Sequence, residues 1–114
     1  MMANDEANCP FCKRIAAGEY EYEDRSCVAF EPLNPVTPGH FLVVTRAHVS
    51  NAFQAPDKAG LALRFAAFLA NRMDLPAANF ITSAGAAATQ TVWHLHVHVI
   101  PRREGDALRL PWSE

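Results

Sequence analysis

The chain has 114 residues, half of them hydrophobic and 19% charged, with a formal net charge of −2. That length suits a single domain, the composition excludes a disordered chain, and the charge gives nucleic acid or an anionic membrane no bulk attraction. No run is long and apolar enough to span a bilayer, and Met1–Asn8 lacks the basic start and apolar centre of a secretory signal, so the expected compartment is the cytoplasm.

Residues 1–8 read as a flexible polar lead and 9–114 as one domain. Phe11–Ala17 predicts a short helix with Gly18 as its stop. Cys27–Phe30 is a short apolar strand running into Glu31–Gly39, whose three prolines and Pro-Gly pair mark a rigid loop and turn. Phe41–Thr45 is the clearest buried strand by its β-branched content. Asp57 to about Arg72 is the one long helix, with Leu61, Phe65, Phe68 and Leu69 as its core stripe and Pro76 closing the segment. Asn79–Ser83 reads as a strand and Ala84–Thr91 as a small-residue loop. His94–Ile100 reads as the last strand, and the apolar tail Leu108–Trp112 is expected to dock. Strands and helices in this order imply α+β with an antiparallel sheet.

Three constellations carry chemistry. Cys9-Pro10-Phe11-Cys12 places two sulfurs for one tetrahedral metal, which is half a site. In a cytoplasmic chain with three cysteines, a redox pair or two ordinary thiols are the competing readings. Ser83–Thr91 lets a ligand approach the backbone and offers hydroxyl and amide donors from Ser83, Thr89, Gln90 and Thr91. His94-Leu95-His96-Val97-His98 alternates imidazole with apolar residues. On a strand this sends Leu95, Val97 and Val99 into a core and lines up three rings on the other face, roughly 6–7 Å apart. A neutral imidazole there serves as nucleophile, base or ligand. A His-rich exposed strand and a three-His zinc site are the alternatives.

Together these segments resemble the histidine-triad (HIT) nucleotide-binding and hydrolase family in its zinc-containing bacterial form. The resemblance rests on His94–Ile100 preceded by Gln90-Thr91-Val92, on Thr37–Val44, on Arg46-Ala47-His48, on Cys9–Cys12 with Gly18-Glu19, and on Pro101–Asp106. It implies an α+β fold with an antiparallel sheet of about five strands, one long and one short helix, and a homodimer. It also implies nucleotidyl transfer: His96 attacks the α-phosphorus of a phosphoramidate, phosphoester or dinucleoside polyphosphate, and water then releases the nucleoside monophosphate, with a purine expected. His98 would help hold the phosphate. Thr91 and the Thr89–Gln90 backbone would hold its oxygens, with Ser83 nearby. Phe30 and Leu33 would line the nucleoside pocket and His40 would support the triad. Structural zinc would sit on Cys9, Cys12, His48 and His94. Pro32 stands where relatives carry a ribose-binding Asp or Asn, leaving Glu31 or Asn34 as substitutes. Ser83 and Ala88–Thr89 also depart from the family pattern. A nucleotide-binding regulatory module with little turnover is the runner-up. Arg102 and Arg103 read equally as phosphate contacts or a solvated pair, and Trp112 as a cap on the pocket or a staple for the tail.

Overall fold

The structure, a computed structural model, describes residues 5–112. Residues 1–4 of the expected lead lie outside that range. From Asp5 onward the lead is ordered locally, because the Asp5 carboxylate accepts from Ala7 N–H at 2.9 Å and caps one 3-10 turn, Glu6–Asn8.

Two helices flank a five-stranded sheet. The helices are α1 (Pro10–Ala17) and α2 (Pro56–Arg72). The strands are β1 (Tyr22–Glu23), β2 (Cys27–Phe30), β3 (Phe41–Thr45), β4 (Ala78–Ile81) and β5 (His96–Pro101), in spatial order β1-β2-β3-β5-β4, all pairs antiparallel. The α+β architecture and both helices agree with the expectation. Strand β1 was not read from the sequence, since two exposed residues show no alternation; Arg46 holds it through an ion pair with Glu23. The strand read as Asn79–Ser83 sits one to two residues earlier, and the Ala84–Thr91 loop contains a 3-10 turn, Ala86–Ala88.

Helix α1 has Pro10 at its first turn and ends on Gly18, whose φ of +70° suits a residue without a Cβ. The Cys9 sulfur caps its start by accepting from Cys12 N–H. Helix α2 packs on one face of the sheet through Phe65 and Leu69 of the expected stripe, but not through Leu61 and Phe68. Phe68 is 53% exposed and Leu61 is also exposed, whereas Ala62, Ala66 and Ala70 are buried with Phe65 and Leu69 against Ala29, Phe41, Val43, Val97 and Val99. Small side chains at i, i+4 and i+8 let the helix axis approach the sheet, and this turns the larger residues at Leu61 and Phe68 outward.

The opposite face carries Val28, Phe30, Leu42 and Val44, packed with Cys9 and Phe11. Register places Val44 opposite His96 and Leu42 opposite His98, so both imidazoles belong to this second face. The tail differs from expectation. Leu108 and Leu110 are half-buried, but Trp112 is 77% exposed and neither caps the cleft nor staples the tail.

Candidate active site and metal centre

The second face opens into a cleft of about 660 Å³ that reaches from His96 and His98 to Phe30, Leu33 and Arg14. The row of three rings expected there is a row of two. Strand β5 begins at His96, and His94, one step before the ladder, is fully buried and turned elsewhere. His94 still orients its neighbour, through its backbone and not its ring. The His96 Nδ1–H donates to the His94 carbonyl at 2.7 Å, which leaves the Nε2 lone pair for the cleft. The Phe11 ring stands edge-on to His96 at 5.1 Å.

A second chain of bonds fixes His98. Val36 N–H donates to His40 Nδ1 at 3.1 Å, so the proton of His40 is on Nε2. That Nε2–H donates to His98 Nδ1 at 2.9 Å, which puts the His98 proton on Nε2. The two cleft imidazoles therefore hold opposite tautomers, His96 with a lone pair and His98 with a donor. Burial lowers the pKa of both below the ordinary histidine value, His98 to about 4 with His96 and His40 adding to the effect, so both are neutral at pH 7. His40 is buried beside them and is likewise pushed down by desolvation.

The remaining expected ligand contacts divide. Phe30, Leu33, His40, Ser83, Thr89, Gln90 and Thr91 all line the cleft, Leu33 from a rim position 90% exposed. The Gln90 amide, however, is fully engaged by the protein. Its oxygen accepts from Asn51 Nδ2 and Gly85 N–H, and its nitrogen donates to the Ser50 and Val92 carbonyls. The Thr89 and Gln90 backbone N–H groups are also engaged, with the Ala86 and Gly85 carbonyls at 2.9 and 3.1 Å. Gln90 thus shapes the loop, which corrects its reading as a side-chain donor to a ligand. Ser83 and Thr91 line the cleft, and their hydroxyls have no such engagement among the described residues. Because Gln90 is only 5% exposed, Gln90→Leu leaves four polar partners unmet, two of them in buried bonds. A loss of about 2–4 kcal/mol is expected, read as a melting temperature lower by roughly 10 °C.

Arg102 and Arg103 do not reach the cleft. Arg102 donates to Asp106, Asn79 and the Leu108 carbonyl, and Arg103 donates to the Thr37 hydroxyl. The bond to Arg102 and two backbone N–H donors hold the Asp106 carboxyl well below the usual carboxylate range. Of the two expected substitutes for Pro32, Asn34 lines the cleft. Glu31 lies outside it, its N–H tied to the Glu21 carboxylate.

Beneath the His96 backbone lies a second cluster. The ligand atoms of Cys9, Cys12, His48 and His94 lie within 4.8 Å of one another. Cys9 Sγ is 3.2 Å from His94 Nδ1, Cys12 Sγ 3.2 Å from His48 Nδ1, and the two Nδ1 atoms are 3.3 Å apart. Tetrahedral zinc with ordinary Zn–N and Zn–S bonds spaces its donors roughly 3.3–3.8 Å apart. The His94 Nε2–H donates to the Thr45 carbonyl at 2.6 Å, which leaves Nδ1 unprotonated toward the cluster, the usual outer support of a metal-bound imidazole. Burial and the adjacent Cys9 push the Cys12 thiol up to about 12, so a divalent cation is what would make Cys12 a thiolate. The donor set fits zinc. With four protein ligands it supplies no open coordination position and no activated water, only a tie between α1, the segment after β3 and the entry to β5. Among the described residues His96 and His98 are not part of this convergence, which removes the three-His metal reading.

Sequence reasoning missed Phe11, Asn51 and Arg14 as parts of this region. Phe11 lies between the two cysteines, and its place between His94, His96 and Phe30 is set by the tertiary contact of α1 with the sheet. Asn51 has no local signal, because its partner Gln90 is 39 residues away.

The HIT domain family pattern matches residues 17–105. A HIT family hydrolase from Clostridium thermocellum is structurally similar, with a TM-score of 0.76 at 29% identity, covering 86% of this chain and 93% of that one. A Zn-bound histidine triad family protein from Mycobacterium smegmatis superposes with a TM-score of 0.72 at 30% identity, covering 92% and 82%. The adenylylsulfatase HINT3 of Arabidopsis thaliana is 33% identical over 89% of this chain, which spans 55% of that protein.

Proposed function

The chain belongs to the HIT domain family, and from that membership we propose that it is a nucleotidyl hydrolase or transferase working through a covalent nucleotidyl-histidine at His96. The observation that carries the reading is the pair of opposite, neutral tautomers in one cleft: a lone pair on His96 Nε2 and a donor on His98 Nε2. A nucleophile beside a donor is what displacement at phosphorus requires.

In this reading the His96 Nε2 lone pair forms a bond to the α-phosphorus. The bond to the leaving group breaks, and that group departs with the electron pair and takes up a proton from water. The His98 N–H and the Ser83 and Thr91 hydroxyls donate to the phosphate oxygens as charge grows on them. A water then adds to phosphorus and loses its proton, the P–N bond breaks, and the nucleoside monophosphate leaves with His96 regenerated. The backbone carbonyl of His94 stabilises the positive charge on the His96 ring in both steps. The substrate class is a nucleoside phosphoramidate or dinucleoside polyphosphate with a purine. A relative named as an adenylylsulfatase supports a bond to a nucleotide phosphorus as the target. Zinc bound by Cys9, Cys12, His48 and His94 is structural. A cytoplasmic homodimer completes the proposal; the exposed Phe80 on edge strand β4 and Leu63 on α2 support a covered surface there.

The test is a panel of diadenosine polyphosphates and adenosine and guanosine phosphoramidates, read as monophosphate release, with light scattering for mass. Release from any member supports the enzyme. Tight monophosphate binding without release from any member overturns it in favour of the regulatory binding module.

A further inference from the structure

One cation faces the cleft without a carboxylate partner. Arg14, on α1, lies with its guanidinium carbon 4.0 Å above the centre of the Phe30 ring. Its Nε donates to the Glu19 backbone carbonyl at 3.2 Å, and no ion pair engages it among the described residues. Arg14 and Glu19 both line the cleft. The Nε bond holds the guanidinium over the ring and leaves the two terminal nitrogens as a fork. Among the described residues no other arginine or lysine lines the cleft, so its one permanently charged cationic side chain is at the Arg14 end.

The position of Arg14 decides what it meets. Ring contacts run in series along the cleft: His98 to His96 at 5.2 Å, His96 to Phe11 at 5.1 Å, Phe11 to Phe30 at 5.6 Å, and then Arg14 over Phe30. A nucleotide with its phosphorus at His96 would have its phosphate at the first end of this series and its base directed toward the second, where Arg14 covers Phe30. A base edge with two adjacent acceptors fits a guanidinium fork, whereas an acceptor beside an amino donor sets two donors against each other. Guanine offers the first arrangement at O6 and N7, and adenine the second at N6 and N7. Guanine also carries N1–H and an amino group, donors that a carboxylate can accept, and Glu19 is among the residues that line the same cleft.

We propose that Arg14, with Glu19, is a specificity determinant that selects a guanine nucleotide over the adenine counterpart. The inference rests on the nucleotidyl reading above for the phosphate end alone. It is tested by kcat/KM for guanosine and adenosine 5′-phosphoramidates, together with calorimetric affinities for GMP and AMP, in wild type, Arg14→Lys and Arg14→Met.

Wild type is expected to prefer the guanosine compound and GMP by roughly ten-fold or more, the scale of one bidentate base contact. Both substitutions are expected to bring those ratios close to one; lysine keeps the charge and loses the fork, and methionine keeps the cover over Phe30. Equal or adenine-favouring ratios in wild type, or a guanine preference that survives in both variants, overturn the inference. Turnover without base preference overturns it while leaving the nucleotidyl reading standing. An Arg14-dependent GMP preference without turnover supports it while removing that reading. Failure of both monophosphates to bind overturns both.

Discussion

His96→Ala is expected to reduce monophosphate release by about 10⁴-fold or more, the scale seen when a covalent nucleophile is removed. No neighbour can replace it. The ring next along the strand, His98, has its Nδ1 lone pair occupied by His40 and its proton on the cleft side, so it presents a donor where a nucleophile is needed. His94 is buried with its Nδ1 toward the two sulfurs. The variant is expected to keep its zinc, because the four ligand atoms come from Cys9, Cys12, His48 and His94. It is also expected to hold a monophosphate, since the apolar end of the cleft is untouched. Single-turnover kinetics with metal analysis decide the matter. Residual release within ten-fold of wild type would mean that water attacks directly and that His96 is only a positioning group. Loss of metal in this variant would contradict the separation between cleft and metal centre.

The second large effect concerns the metal. Purified protein is expected to carry one zinc per chain, and Cys12→Ser to carry none. Zinc here would tie α1 to the segments after β3 and before β5, which the sheet already holds side by side. Cys12 lies on α1, Cys9 at its cap, His48 three residues beyond β3, and His94 two before β5. Removing a metal whose binding is coupled to folding costs about 3 kcal/mol or more, equivalent to roughly 10–20 °C in melting temperature for a domain of this size. Release is expected to fall as well, because the His94 carbonyl that fixes the His96 tautomer moves with the metal ligand on the same residue. Calorimetric melting and elemental analysis, with and without a strong chelator, give the readout. A wild-type protein that melts at one temperature with and without the chelator would show that hydrogen bonds alone close this cluster.

Much of the fold is legible in the sequence because local chemistry and tertiary demand agree there. Phe41–Thr45 is β-branched, lies at the centre of the sheet and is buried along its whole length. Pro10 and Gly18 bracket α1 at the positions where a missing N–H and a positive φ are useful. The misreadings fall where two elements had to be known at once. Helical spacing marks Leu61, Phe65, Phe68 and Leu69 as the stripe of α2, but the sheet takes only Phe65 and Leu69 of these and adds Ala62, Ala66 and Ala70. Strand β1 exists because β2 offers an edge and Arg46 holds Glu23, neither of which is visible at residues 22–23.

The sequence by itself determined the candidate chemistry: which side chains can act as nucleophile, donor and metal ligand, and the strand alternation that puts His96 and His98 on one face. Those properties follow from residue type and a two-residue period, both of which are local. Tertiary structure alone decided how the histidines divide their work. Whether a ring offers a lone pair or a proton depends on what its other nitrogen meets. For His98 that partner is His40, 58 residues away; for His94 it is the Thr45 carbonyl, 49 residues away. It also turned Gln90 from a ligand donor into a brace for its loop and brought Arg14 over Phe30. Hydrogen bonds and stacking act over a few ångströms in space, and no spacing along the chain encodes them until the sheet and its helices have closed.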